Sequence, residues 1–102
     1  MINRTNAQGR KRDSREECTT VGDWCIYRGE TQWYICIFLP SMTTPTSLPI
    51  QRRTFSNERA WGWDGNFDEP SLQPSIWHNK AGACPDEGEW HGYLTKGIFV
   101  SC

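Results

Sequence analysis

The sequence predicts a mostly β fold: a small single-domain antiparallel sheet or half-barrel of hairpins, joined by long Pro-containing loops. Three observations carry this. Apolar residues alternate around a turn in the stretches 24–27 and 33–38, which is the period of strands and not of helices. The block from Trp61 to Ile76 is dense in aromatic, Gly, Pro and Asp residues that fix turns and backbone angles. A last hairpin is written around Lys96-Gly97. No amphipathic helical stretch competes, and Ser56 to Ala60 is at most one turn. The 102 residues suffice for one domain, and a domain this small is marginal without a staple or a partner. Six Trp, four Phe and three Tyr work against that, because each ring buries a large area when packed.

The elements follow in order. Residues 1–20 read as a polar basic arm, with Arg4, Arg10, Lys11, Arg12 and Arg15 set against Asp13, Glu16 and Glu17. The arm holds almost nothing apolar, so burial cannot order it. It is either a solvated tail or a segment that docks on a partner or on nucleic-acid phosphates. Residues 21–102 form the β domain. Its first hairpin runs through Trp24-Cys25-Ile26-Tyr27 and Trp33 to Phe38, with a turn at Arg28 to Thr31. Pro40 to Pro49 is rich in Thr, Ser and Pro and reads as an irregular loop. Ile50 to Asn57 reads as an edge strand whose Arg52 and Arg53 discourage aggregation. Trp61 and Trp63 share one strand face, Asp64-Gly65 marks a turn, and Pro70 and Pro74 set a kinked loop.

Composition excludes several function classes. The formal net charge is −1, so no global field favours nucleic acid. No apolar run approaches the ~20 residues that span a bilayer, and no membrane role is expected. The N-terminus lacks the apolar stretch of a signal peptide, which points to reducing cytoplasm. The five cysteines, Cys18, Cys25, Cys36, Cys84 and Cys102, are odd in number and include no C-x-x-C. Buried thiols, metal ligands and redox groups are therefore the open readings.

Some pairings follow from geometry. A two-residue Lys96-Gly97 turn puts Thr95 opposite Ile98, Tyr93 opposite Val100 and His91 opposite Cys102, and opposed side chains lie ~5 Å apart at Cβ. Such a His–Cys pair either shares a metal ion or is an ordinary cross-strand pair. With Gly29-Glu30 as a tight turn, Cys25 and Cys36 are diagonal neighbours ~7–8 Å apart, long for a disulfide. Cys84, beside Pro85, is a loop ligand, a half-buried thiol or a disulfide partner. The carboxylates Asp64, Asp68, Glu69, Asp86, Glu87 and Glu89 fall in turns, where local hydrogen bonding explains them as well as acid–base chemistry does. Trp24, Trp33, Trp61 and Trp63 are core residues or a base-stacking platform. No Gly-x-Ser-x-Gly, P-loop or His-Glu-x-x-His is present, and no catalytic residue is assigned.

Two blocks resemble a known family. Trp63 to Ile76, with Pro70-Ser71-Leu72 and Pro74-Ser75-Ile76, and His91-Gly92-Tyr93-Leu94-Thr95-Lys96-Gly97-Ile98-Phe99 resemble a family of small proteins from tailed phages and prophages, of no assigned function and often mislabelled ammonia monooxygenase. The resemblance covers about the last 40 residues, and Tyr34 to Phe38 loosely. It implies a compact β fold, phage origin and a zinc knuckle that is degenerate here. Cys36, His91 and Cys102 stand at three of the family's ligand positions, whereas Leu39 and Trp90 stand where further cysteines are expected. Cys25 or Cys84 then supplies a fourth ligand, or the site has given way to apolar packing. The implied cofactor is none or one zinc ion.

The function expected on these grounds is non-enzymatic protein binding by a phage-encoded protein, in the form of a virion accessory or capsid decoration protein. The expected partners are a phage structural protein or a host protein, in a homo-oligomer or a larger assembly, with nucleic acid reached through the arm. The setting would be host cytoplasm, the virion or both. Two alternatives stand beside it: an early phage inhibitor of a host enzyme or defence complex, and a zinc-stapled enzyme or nucleic-acid-binding module.

Overall fold

The computed structural model describes residues 2–52 and 60–102. Within them the chain forms β1 (Ile2–Asn3), β2 (Ala7–Gln8), β3 (Arg10–Lys11), a 3-10 turn at Arg15–Glu17, β4 (Asp23–Arg28), β5 (Trp33–Ile37), β6 (Thr46–Arg52), β7 (Trp61–Trp63), β8 (Leu72–Gln73), β9 (Ile76–His78), β10 (Glu89–Thr95) and β11 (Ile98–Ser101). No α-helix occurs among the described residues. The expected mostly β, half-barrel architecture is what the chain adopts. A curled six-stranded sheet runs β3-β4-β5-β6-β7-β8, and a five-stranded sheet runs β1-β10-β11-β2 with β9 on the other side of β10.

The inward faces of both sheets meet in one core. Trp24, Ile35, Ile37, Ile50 and Trp63 come from the first sheet, and Ile76, Trp90, Leu94 and Phe99 from the second. Along β10 the alternation is strict: Trp90, Gly92 and Leu94 are buried, while His91, Tyr93 and Thr95 face outward. Gly92 is required by close approach. A Cβ there would run into the Val100 carbonyl and the Trp90 ring, which folds beneath the strand. The final hairpin has the expected register, Tyr93 opposite Val100 and Thr95 opposite Ile98. Lys96 and Gly97 close it with φ of 48° and 77°, the pair of left-handed residues a tight hairpin turn demands.

Three readings of local sequence are corrected. In the first hairpin the Gly29 N–H bonds to the Gln32 carbonyl at 2.7 Å, so the turn is centred one residue later than expected. Cys25 therefore faces Cys36 directly, not diagonally. Pro49 lies inside β6 instead of a loop. Because β7 pairs only with Ile50 to Arg52, Pro49 has no ladder bond to lose on that side. The part of the expected edge strand that includes Arg53, and most of the turn from Ser56 to Ala60, lie outside the described residues.

The N-terminal stretch lies against the domain. β1 pairs with β10, β2 with β11 and β3 with β4, so this segment borders both sheets. Main-chain pairing along free strand edges needs no apolar side chains. Side-chain bonds reinforce it, two of them through fully buried groups. The buried Trp90 indole donates to the Thr5 carbonyl at 2.9 Å, and Arg10 donates to the buried Asp23 carboxylate at 2.7 Å. Asp23 also accepts from the Thr19 and Thr20 N–H groups. Burial alone would raise its pKa, but these four interactions, counting the Arg10 charge as one, outweigh it and hold the carboxyl below its ordinary value.

Candidate active site

The block from Trp61 to Ile76 is a scaffold for one crossing. Asp64 Oδ1 accepts from the N–H groups of Asn66 and Ser71, and Asn66 Oδ1 from those of Asp68 and Glu69. These bonds use the short polar side chains to hold a turn, so Asp64 is occupied in shaping the loop. Asp68 pairs at the surface with Lys11. The chain then leaves the first sheet through β8, passes Pro74 and enters the second sheet as β9. Pro74 and Ser75 are the residues between the sheets.

β9 pairs antiparallel with β10, Trp77 opposite His91 and Ile76 opposite Gly92. Ile76 points into the core, so Ser75 and Trp77 share the outward face with His91 and Tyr93. On that face Ser75 Oγ lies 2.8 Å from Nε2 of His91. With the imidazole in its Nδ1–H form, the hydroxyl donates to Nε2, the arrangement that lets a histidine take the serine proton. Two contacts hold the pair, and two more hold Trp77. The Trp77 ring stacks on the His91 ring, with centroids 4.2 Å apart and planes 15° from parallel. The Trp61 indole, from the opposite sheet, donates to the Ser75 carbonyl at 3.4 Å. The Trp77 indole donates in turn to Glu89, and the Lys80 ammonium sits 4.3 Å from the Trp77 centroid.

Both members of the pair are half-buried, and Trp77 and Tyr93 beside them are each 45 % exposed. A groove of about 540 Å³ lies between residues 71–74 and residues 93–95; Pro74 and Tyr93 line it, but neither Ser75 nor His91 does. Ser75 and His91 thus lie on a face that keeps some access to solvent.

The residues expected to bind metal are distributed otherwise. Cys36 lies with Cys25 and Cys18 on the outer face of the first sheet, all buried, with sulfurs within 4.8 Å of one another. Burial pushes the Cys18 and Cys25 thiols up, and their sulfur neighbours reinforce this at Cys18. Cys84 lies in a separate group with His78 and Glu87. There Glu87 accepts from the Thr43 N–H and hydroxyl and pairs with His78 at 2.7 Å, and these bonds hold its carboxyl at about 2. Cys102 is exposed; its N–H reaches the His91 carbonyl at 3.1 Å, which extends the expected register. Among the described residues, Cys36, His91 and Cys102 do not form one group of neighbouring ligand atoms.

The model of the bacterial ubiquitination-like system serine protease family, BubE, matches residues 11–102. The chain belongs to this family. No curated protein and no solved structure matches it. The match covers both blocks on which the resemblance to phage proteins was based, and it places the BubE-family chain in a protease family instead. The expectation of a non-enzymatic phage protein, acting as a virion accessory or capsid decoration protein, is overturned by the same finding. So are the phage readings that accompanied it. A ubiquitination-like system implies protein partners within a pathway. No helix among the described residues is long and apolar enough to cross a membrane.

The sequence singled out His91, as a metal ligand or as an ordinary cross-strand partner of Cys102, and Ser75 was not weighed at all. The available signal was weak: a Ser after Pro at the start of an apolar strand, and a His on another strand sixteen residues away. Only the β9–β10 register brings them together.

Proposed function

We propose that this protein is a serine protease that cleaves amide bonds in proteins of a bacterial ubiquitination-like system, with Ser75 as nucleophile and His91 as general base. The observation that carries the proposal is the 2.8 Å contact between Ser75 Oγ and His91 Nε2 on an open face. Family membership supplies the reaction class and the kind of substrate.

The chemistry follows from that contact. Ser75 Oγ attacks the scissile carbonyl carbon while Nε2 of His91 takes the hydroxyl proton. The resulting imidazolium gives that proton to the departing amine as the C–N bond breaks, leaving an acyl ester on Ser75. Water, deprotonated by His91, then attacks the ester, and its proton returns to Ser75. Trp77 restrains the ring so that Nε2 stays on the serine, and Trp61 restrains the serine backbone. The groove between residues 71–74 and 93–95 ends at Pro74, the neighbour of Ser75, and is where we place the substrate chain.

A fluorophosphonate that acylates activated serines tests the proposal. Wild-type protein should take up one probe, mapped to Ser75 by mass spectrometry, and Ser75→Ala and His91→Ala should lose it. Labelling of a different serine, or none in folded protein, would refute the assignment.

A further inference from the structure

The outer face of the first hairpin carries Cys25 and Cys36, and the segment 12–20 crosses it to add Cys18. The three side chains are 2–3 % exposed and form a satellite cluster of their own, joined only by the partly buried Tyr27. A segment that merely covered a sheet face would be expected to bring aliphatic side chains, which give more burial per residue. This one brings a single thiol to two others, with all sulfurs within 4.8 Å.

A disulfide does not explain the arrangement. Three thiols leave one unpaired. The Cys25–Cys36 pair also has unsuitable geometry. The Phe38 N–H bonds to the Asp23 carbonyl and the Gly29 N–H to the Gln32 carbonyl. Alternation along the ladder then makes Cys25–Cys36 a hydrogen-bonded pair. Cβ atoms in such pairs stand at the wide end of the ~4.5–5.5 Å range, beyond the ~3.5–4.5 Å a disulfide needs. Convergence of three sulfurs on one point is what a metal ion requires.

We infer that Cys18, Cys25 and Cys36 form a trithiolate site for a thiophilic d10 cation, which staples the N-terminal segment to the outer face of the sheet. Soft thiolate ligands select Zn²⁺ and Cu⁺ among common ions. Binding releases the thiol protons, and a positive charge at the centre offsets the cost of burying thiolates. Arg15, whose guanidinium carbon lies 4.5 Å from the Tyr27 ring centroid, adds a nearby positive charge for the anionic complex. The other group of potential ligands, His78, Cys84 and Glu87, is accounted for by the His78–Glu87 pair and the Thr43 bonds.

The test uses the full chain, purified under reducing conditions without chelator and then titrated separately with Zn²⁺ and Cu⁺. Bound metal is read by elemental mass spectrometry and free thiols by a chromogenic reagent. About one ion per chain is expected, with three thiols protected and two reactive. The ion that survives competition by a chelator identifies the preferred cation. Cys18→Ala removes one ligand from the surface segment and leaves the hairpin intact, and should reduce the stoichiometry to near zero. Cys84→Ala and Cys102→Ala should leave it unchanged. No uptake of either ion by folded wild-type protein would overturn the inference. Uptake that persists in Cys18→Ala but disappears in Cys84→Ala would also overturn it, and would assign the ion to the other group.

Discussion

Two regions of this molecule bring nucleophilic side chains together, and they differ in what surrounds them. At the crossing between the sheets, Ser75 meets His91 on an outward face beside exposed Trp77 and Tyr93. On the far side of the first hairpin, three thiols meet beneath a covering segment. A thiol is intrinsically the better nucleophile, but these three are buried away from any substrate, and burial pushes the Cys18 and Cys25 thiols up. The serine is the weaker group, yet it has an imidazole in contact and lies on an outward face. Under the proposed function, reactivity follows from the neighbour and the access, not from the atom. The two histidines repeat the point. His78 is held by the Glu87 carboxylate in a structural pair, whereas His91 is held by ring stacking and keeps Nε2 on a hydroxyl.

The largest expected effect tests the first half of that comparison. Ser75→Ala and His91→Ala should each lower turnover of an amide or activated-ester substrate by roughly 10³-fold or more. The double variant should lose little beyond either single one, because the pair acts as a unit. Additive losses measured in steady-state assays would show that the two residues do not share one step. Both variants should keep the wild-type far-ultraviolet circular dichroism.

A second prediction asks whether the site depends on the common core. Trp90 is fully buried next to His91 and bonded to Thr5. Trp90→Ala should cost about 3–5 kcal/mol by cavity formation, measured by denaturant unfolding. A loss under 1 kcal/mol would mean that the N-terminal segment and β10 are not one cooperative unit.

A third concerns acid. Asp23 and Glu87 have carboxyls held below their ordinary values, Glu87 at about 2 against 4.5 when unfolded. A depressed folded pKa contributes stability that is present above the unfolded value and lost as pH falls through the folded one. Stability should therefore decline from pH 4.5 towards 2, with Asp23 adding to the fall below its ordinary 3.8. Glu87→Gln should flatten the upper part of this decline in unfolding curves measured at successive pH values. An unchanged slope would rule out the Thr43 and His78 bonds as its cause.

The smallest effect separates restraint from chemistry. Trp77→Ala removes the ring that stacks on His91, and aromatic stacking contributes roughly 0.5–1.5 kcal/mol. Turnover should fall by about tenfold, chiefly in kcat, with Trp77→Phe recovering most of it. If Trp77→Ala raises only KM, the ring serves substrate binding and not the orientation of His91.

Part of this protein was determined by the sequence alone. Period-two alternation at Trp24 to Tyr27 and Trp33 to Phe38 dictated strands, because side chains in a strand must take opposite faces. Lys96-Gly97 dictated the last hairpin and its register, because few residue pairs accept two left-handed conformations. The block from Trp61 to Ile76 was legible as a rigid loop for the same local reasons. Tertiary structure decided the rest. The N-terminal segment looked like an arm because its side chains are polar, but its order comes from main-chain pairing with strand edges 87 to 92 residues away. Its Cys18 could be grouped with Cys25 and Cys36 only once that segment had been placed. Ser75 and His91 carry no shared local pattern. They become a pair because the chain changes sheets at Pro74 and β9 then aligns with β10, and register between distant strands is a property of the whole packed fold.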